Sequence, residues 1–279
     1  MKAGVSTACL YPALLEDSLS DLVSRGIKTT EIFINTHCEL MPDFINILKN
    51  ILDSGNASCV ALHPYTCPIE PMMLFSSYER RLKDSIDYCR YYFEAMNTIG
   101  AGIFVLHGNM NVTAVDEHLY FERFALLSEA AAGYGIILAQ ENVARCQSRS
   151  LSFLKNMSDY LGDTARFVLD VKQSLRSDED PCEMARVLGS KIVHIHFSDH
   201  NDQHDCMMPG EGTFDIRSFL EIMHRSGYDG AVMLELYRSN FRDTEQLAEG
   251  CRYLESIINS IQEGDKKCDA RSADSKIQK

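Results

Sequence analysis

Eight times along this chain a short run rich in Val, Ile, Leu and Phe gives way to a longer segment with helical spacing. The strand-like runs fall at residues 3–9, 30–34, 59–63, 103–107, 136–141, 166–170, 192–196 and 231–235. They show little polar alternation before their last residues. Strands apolar on both faces must be covered on both faces, as in a parallel sheet flanked by helices. Between the third and fourth runs, Tyr78, Leu82, Ile86, Cys89, Phe93 and Met96 recur at steps of three and four and make one apolar helical stripe. Ser76 with Glu79 predicts a capping box at its start, and Gly100 its stop. Leu247, Cys251, Leu254, Ile258 and Ile261 form a second stripe. Gly26 and Gly227 mark two further helix stops.

Eight β-then-α units mean either a closed barrel or a doubly wound open sheet. The Gly-rich strand-to-helix turn of a dinucleotide fold is absent, as is a Walker sequence. The expected fold is therefore α/β, a (β/α)₈ TIM barrel, and 279 residues suit one such barrel. No stretch rich in Pro, Gly or Ser divides the chain. Residues 1–262 read as one domain, and the polar, mixed-charge residues 263–279 as a disordered tail.

The formal net charge of −13 opposes binding to DNA, RNA or anionic lipid, whose affinity comes mainly from Lys and Arg. No nucleic-acid or membrane partner is expected. The N-terminus lacks the long apolar stretch of a signal peptide, and no segment is apolar enough to span a bilayer. The 10 cysteines include no Cys-x-x-Cys pair and sit mostly in apolar segments, as Cys59, Cys89 and Cys251 do. They read as reduced thiols of a cytoplasmic protein.

The informative residues stand at the strand ends. Runs three to eight end in His63, His107, Glu141, Asp170, His196 and Glu235. In a barrel these ends converge on one rim, where barrel active sites are built. Three carboxylates facing one another need a cation between them, or their repulsion raises their pKa values. Oxygen ligands with one imidazole suit Mn²⁺, Mg²⁺, Co²⁺ or a similar divalent ion. The competing reading is that each residue caps a helix or pairs with Lys or Arg.

His63 and His107 are candidates for substrate contact. His194 points the same way as His196, one layer deeper, and reads as a supporting histidine. Asn109, Asn142, Lys172, Gln173 and Arg238 each follow a strand end and could contact substrate hydroxyls. The loop after run seven, SDHNDQHDCMMPGEG, reads as a solvated active-site loop, with Gly210-Glu211-Gly212 too short for a phosphate cradle. No G-x-S-x-G elbow is present, so covalent catalysis has no support.

The stretches VLHGN, QENV, VLDVKQ, HIHFSD, PGEG and GYDGAVMLE, in that order, resemble the xylose-isomerase-like barrel superfamily. That group holds sugar phosphate isomerases and epimerases, ketose 3-epimerases, inosose dehydratases and endonuclease IV. The resemblance implies a metal set of Glu141, Asp170, His196 and Glu235 for Mn²⁺, Mg²⁺, Co²⁺ or Zn²⁺. It implies Glu141 and Glu235 as catalytic acid and base, a small carbohydrate substrate, an isomerase or epimerase reaction through an enediolate, or a related dehydration, and a homo-oligomer. There are departures. Gln173 stands where many relatives carry a His. Asp202 stands where ketose 3-epimerases usually carry an Arg. His204 and Cys206 replace the Asp and His that a three-zinc endonuclease needs, and a non-catalytic sugar- or metal-binding barrel is the remaining alternative.

Overall fold

In a computed structural model of the chain the eight runs form strands β1 (Lys2–Ser6), β2 (Thr29–Phe33), β3 (Ser58–His63), β4 (Ile103–Leu106), β5 (Ile137–Glu141), β6 (Phe167–Asp170), β7 (Ile192–Phe197) and β8 (Ala231–Leu234). The structure describes the backbone of residues 1–277 and the side chains of residues 1–264. Every strand pairs in parallel with its neighbour in sequence, and β8 closes on β1 through Lys2↔Ala231, Ala3↔Val232, Gly4↔Met233 and Val5↔Leu234. The result is a closed (β/α)₈ barrel. Its helices are α1 (Leu15–Ser24), α2 (Pro42–Ser54), α3 (Glu70–Met73), α4 (Glu79–Ile99), α5 (Glu117–Ala132), α6 (Leu151–Leu161), α7 (Val171–Arg176), α8 (Pro181–Leu188), α9 (Ile216–Arg225) and α10 (Thr244–Ile277). No helix among the described residues is long and apolar enough to cross a membrane.

The apolar stripes do what their spacing requires. Leu82, Cys89, Phe93 and Met96 of α4 are buried, as are Leu247, Cys251, Leu254, Ile258 and Ile261 of α10. Two local expectations are corrected. The first strand ends at Ser6 rather than residue 9, because the Ser6 hydroxyl accepts from the Ala8 amide and turns the chain into a short 3₁₀ turn. The capping box does not form: Ser76 accepts from the Tyr78 amide, α4 starts at Glu79, and the Glu79 carboxylate pairs with Arg123 instead. Helix α10 runs on to Ile277. Residues 278–279 lie outside the described residues.

Inside the barrel the two-residue repeat of each strand builds layers. Ala61, Val105, Ala139 and Val168 pack together as a floor of small side chains. Each stands two residues before a polar strand-end residue, namely His63, His107, Glu141 and Asp170. Gly4 completes the floor: a Cβ there would lie 2.6 Å from the Thr29 carbonyl and 3.0 Å from the Met233 methyl. The space left by small residues lets the polar layer above sit within the barrel rather than outside it.

The β7–α9 loop is organised by one carboxylate. Asp199 is buried, and accepts from the amides of His200 (2.7 Å), Gly210 (2.8 Å), Gly212 (3.0 Å) and Phe214 (3.3 Å). The Gly-Glu-Gly segment is thus a cradle for the chain's own anion. A Cβ on Gly212 would stand 2.2 Å from Asp199 Oδ1 and 2.4 Å from the His200 carbonyl. Gly212→Ala is therefore expected to destabilise the fold by about 1–3 kcal/mol through forced backbone movement, measured as a lower urea midpoint with an unchanged slope. An unaltered midpoint would show that the loop yields freely.

Candidate metal centre

The strand ends bring Glu141, Asp170, His196 and Glu235 together. One ligand atom of each lies within 4.8 Å of those of the other three. His196 Nδ1 is the hub, 3.1 Å from Glu141 Oε1, 3.5 Å from Glu235 Oε2 and 4.0 Å from Asp170 Oδ2. His196 and Asp170 are fully buried, and Glu141 nearly so. Lys172, in the first turn of α7, sends its ammonium into the same group, 3.2 Å from Glu235 Oε2 and 3.5 Å from Asp170 Oδ2.

The charges do not balance. Glu141 Oε2 and Asp170 Oδ2 are buried oxygens without a hydrogen-bond partner. Burial, reinforced by Glu141 and Glu235, pushes Asp170 up to about 7 in spite of the Lys172 ammonium. This is the like-charge strain expected of crowded carboxylates. Burial also works against an ionised Glu235, but Lys172 and His196 more than offset it and hold this group below the usual range. Two orphaned anionic oxygens, two further carboxylate oxygens and one imidazole nitrogen are a donor set suited to a hard or borderline divalent cation. These residues could hold such an ion.

The far side of His196 is fixed by a residue that strand-end reasoning passes over. Glu31 lies in the middle of β2, fully buried, and its Oε2 accepts from both His196 Nε2 and His194 Nε2 at 2.9 Å. The Ser6 hydroxyl donates to its Oε1 at 2.9 Å. Burial pushes Glu31 up, yet the two imidazoles outweigh it and keep the carboxyl well below its usual range. Burial likewise opposes a charged His196, and Glu31 and Glu235 hold it well above the usual imidazole range. Glu31 thus keeps a proton on Nε2 and turns Nδ1 toward the acidic group, the arrangement by which carboxylates orient metal-binding histidines. His194 is the supporting histidine its depth implied. The signal for Glu31 was available, since a carboxylate inside an otherwise buried strand requires a partner.

His63 and His107 form a second group beside the first. Their Nε2 atoms are 2.8 Å apart, so one donates and the other accepts. Burial pushes both down, but the Glu141 carboxylate more than offsets it at His63 and not at His107. His107 Nε2 also lies 3.0 Å from Glu141 Oε2. Cys67 is 3.8 Å from His63 Nδ1, and burial keeps it a thiol.

Above these groups opens a cavity of about 440 Å³. Of the seven residues named as substrate contacts on sequence grounds, His107 and Lys172 are placed on its wall. His63 stacks on Phe33 with ring centroids 4.8 Å apart. Asn109 is fully buried and braces its own loop by donating to Thr113 and Gln147. Gln173 accepts from the Ala144 amide. Arg238 turns away, donating to the carbonyls of Phe241 and Arg242. Asn142 likewise ties β5 to β6 through Asp170 and Ser174. Much of the rest of the wall is made by Tyr11, Phe33, Tyr65, Arg145 and Tyr237. Loop residues after a strand end point where their loop takes them, and sequence position does not specify that direction.

Comparison with known proteins agrees with this architecture. A family described as "Xylose isomerase-like TIM barrel" matches residues 20–257. The 3-dehydroshikimate dehydratase of Pseudomonas aeruginosa is 25% identical over 92% of this chain, which spans 41% of that enzyme's length. A D-tagatose 3-epimerase-like protein superposes with a TM-score of 0.77 at 22% identity, covering 93% of this chain and 99% of that one. An L-ribulose 3-epimerase gives a TM-score of 0.77 at 15% identity, covering 96% and 98%.

Two measurements test the electrostatics. Glu31→Gln leaves one acceptor oxygen for two imidazoles and sets an amide N–H₂ against an N–H. Calorimetric Mn²⁺ titration should show affinity falling by about 10- to 100-fold, with ¹⁵N shifts of His196 reporting mixed tautomers. Equal affinity would remove Glu31 from the account. The second concerns Glu70, which accepts from the Gly108 amide at 2.7 Å and which burial pushes up to about 8. The unfolded carboxyl ionises from about 4.5, whereas the folded one keeps its proton until about 8. Its stabilising contribution is thus full below the lower value and lost as pH rises through the upper one. Glu70→Gln should raise the Tm relative to the parent more at pH 8 than at pH 5, read by differential scanning fluorimetry.

Proposed function

This chain belongs to the xylose isomerase-like TIM-barrel family, and on that premise we propose that it is a divalent-metal-dependent enzyme that enolises a small polyhydroxylated carbonyl compound. The observation that carries the reading is the convergence of Glu141, Asp170, His196 and Glu235, with two unsatisfied buried oxygens, beneath a cavity of about 440 Å³. A divalent ion held by these four supplies a Lewis acid that makes a carbon-bound proton next to a carbonyl more acidic. The sugar epimerases among the structural neighbours support an epimerase or isomerase as the first choice.

The chain's own groups divide the work. Glu235 is the ligand carboxylate that lines the cavity, and Lys172 and His196 keep it ionised, so it can accept the carbon-bound proton as general base. Burial works against an ionised Glu141, below it, but His107, His196 and His63 hold it well below the usual range, so the proton that returns to the enediolate from that side reaches it through Glu141 from these imidazoles. Return to the opposite face of the same carbon inverts that centre, and return to the neighbouring carbon moves the carbonyl. His107 and Lys172, both on the wall, hold substrate oxygens, and Asp199 fixes the loop beside them. Glu31 orients His196 underneath.

A second reading has its own support. The relatives named 3-dehydroshikimate dehydratase match over 92% and 91% of this chain. The same proton abstraction, followed by transfer of that proton from Glu235 to a departing β-hydroxyl, gives water and an enone rather than an epimer.

Solvent deuterium wash-in separates the outcomes. Mn²⁺-loaded protein in D₂O with a panel of ketoses, inososes and keto acids should incorporate deuterium at one carbon. Glu235→Gln, Glu141→Gln and chelator treatment should each slow exchange by about 10²- to 10⁴-fold. New ultraviolet absorbance accompanied by loss of water would assign the dehydratase. Exchange that survives both substitutions would remove these carboxylates from the chemistry.

A further inference from the structure

The cavity wall carries one positive charge that the protein does not neutralise. Lys172 is committed to Asp170 and Glu235, and Arg176, near the rim, pairs with Asp205 and donates to the Tyr237 hydroxyl at 2.6 Å. Asn35 and Tyr65 on the wall are also engaged. The Asn35 amide donates to Phe33 and Glu39, and Tyr65 shares a 2.6 Å hydrogen bond with Tyr88. Arg145 differs. It lines the cavity, is exposed, and has no ion-pair partner among the described residues. Its guanidinium meets the Cys146 sulfur, and the buried Glu70 feels its field without forming an ion pair with it. In a chain with 40 acidic against 27 basic residues, a guanidinium facing an active-site cavity without a carboxylate is a vacant recognition element.

Arg145 and His107 come from the loops after β5 and β4, whereas Lys172 and Glu235 follow β6 and β8. A ligand bridging these groups presents an oxyanion to Arg145 while its carbonyl and hydroxyl oxygens lie toward Glu235. Between them Phe33, Tyr65 and Tyr237 offer apolar surface to the C–H faces of a compact carbon skeleton. A phosphate dianion would call for a second free cation, and the second cation on this wall is already held by two carboxylates. One planar guanidinium matches one planar carboxylate. Building on the enolisation reading above, the geometry points to a polyhydroxylated substrate that bears a carboxylate, bound through Arg145.

The test uses matched ligands that differ at one position: D-glucuronate, D-glucose and D-glucose 6-phosphate, and in parallel quinate, myo-inositol and myo-inositol 1-phosphate. Their affinities for the full-length, Mn²⁺-loaded protein are measured by calorimetry, for the parent, Arg145→Gln, Arg145→Lys and the charge-matched control Arg149→Gln. The carboxylates should bind about 10- to 100-fold more tightly than the neutral partners in the parent and in Arg149→Gln, as a charge-assisted hydrogen-bonded pair allows. That ratio should fall toward one in Arg145→Gln and be intermediate in Arg145→Lys. Equal binding of acid and neutral ligands, a preference for the phosphates, an undiminished ratio in Arg145→Gln, or no binding of any of the six would each overturn the inference. The wash-in experiment reports separately on enolisation. Deuterium exchange confined to uncharged sugars would leave the reaction standing and remove the carboxylate. Carboxylate-selective binding without exchange would do the reverse.

Discussion

Closure of the barrel is the constraint from which the site follows. Once β8 pairs with β1, a strand has only two directions for a side chain, inward or outward, and they alternate residue by residue. Glu141, Asp170, His196 and Glu235 come from four successive strands, and each stands within one residue of its strand's C-terminal end. Parity sends them inward together. The small residues beneath them, Ala61, Val105, Ala139 and Val168, leave that layer its room. An open sheet with the same sequence would spread these groups over a flat edge, and three carboxylates would then have water rather than one another as neighbours.

Crowding is the cost of that geometry, and the neighbourhood is arranged to offset part of it. Lys172 and a doubly protonated His196 lie against the carboxylates, and Asp170 still retains its proton to about neutrality. Protein groups alone leave two oxygens unsatisfied. A site in this condition binds a cation more tightly as pH rises, because ligands must surrender protons first.

Much of this was legible in the sequence, and the part that was not has a physical reason. The eight strands and the helical stripes are set by spacing and burial, which act locally and leave a periodic trace. The strand-end residues could be placed on one rim because a barrel has one such rim. The directions of Asn109, Gln173 and Arg238 depend on loop paths and hydrogen bonds to remote carbonyls, and no periodicity records those. The role of Gly212 depends on Asp199, 13 residues earlier in sequence, whose four amide contacts exist only after the loop has closed. Glu31 could have been suspected as a charge inside an apolar strand. Its partners lie on β7, 163 and 165 residues away, and only the fold brings them within reach.

That last contact has a consequence for how the chain reaches its native arrangement. β2 and β7 are not neighbours, since β1 and β8 stand between them, so the Glu31 carboxylate ties strands that share no ladder. A one-residue slip in either strand would reverse the facing of its side chains. Glu31 would then point into the helical layer as an unpaired buried charge, or two imidazoles would lose their acceptor. Either misfold forfeits the kind of buried pairing whose loss costs about 3–5 kcal/mol. The group that orients the histidine therefore also proofreads strand register, and a lineage could discard it only by changing Glu31, His194 and His196 in concert.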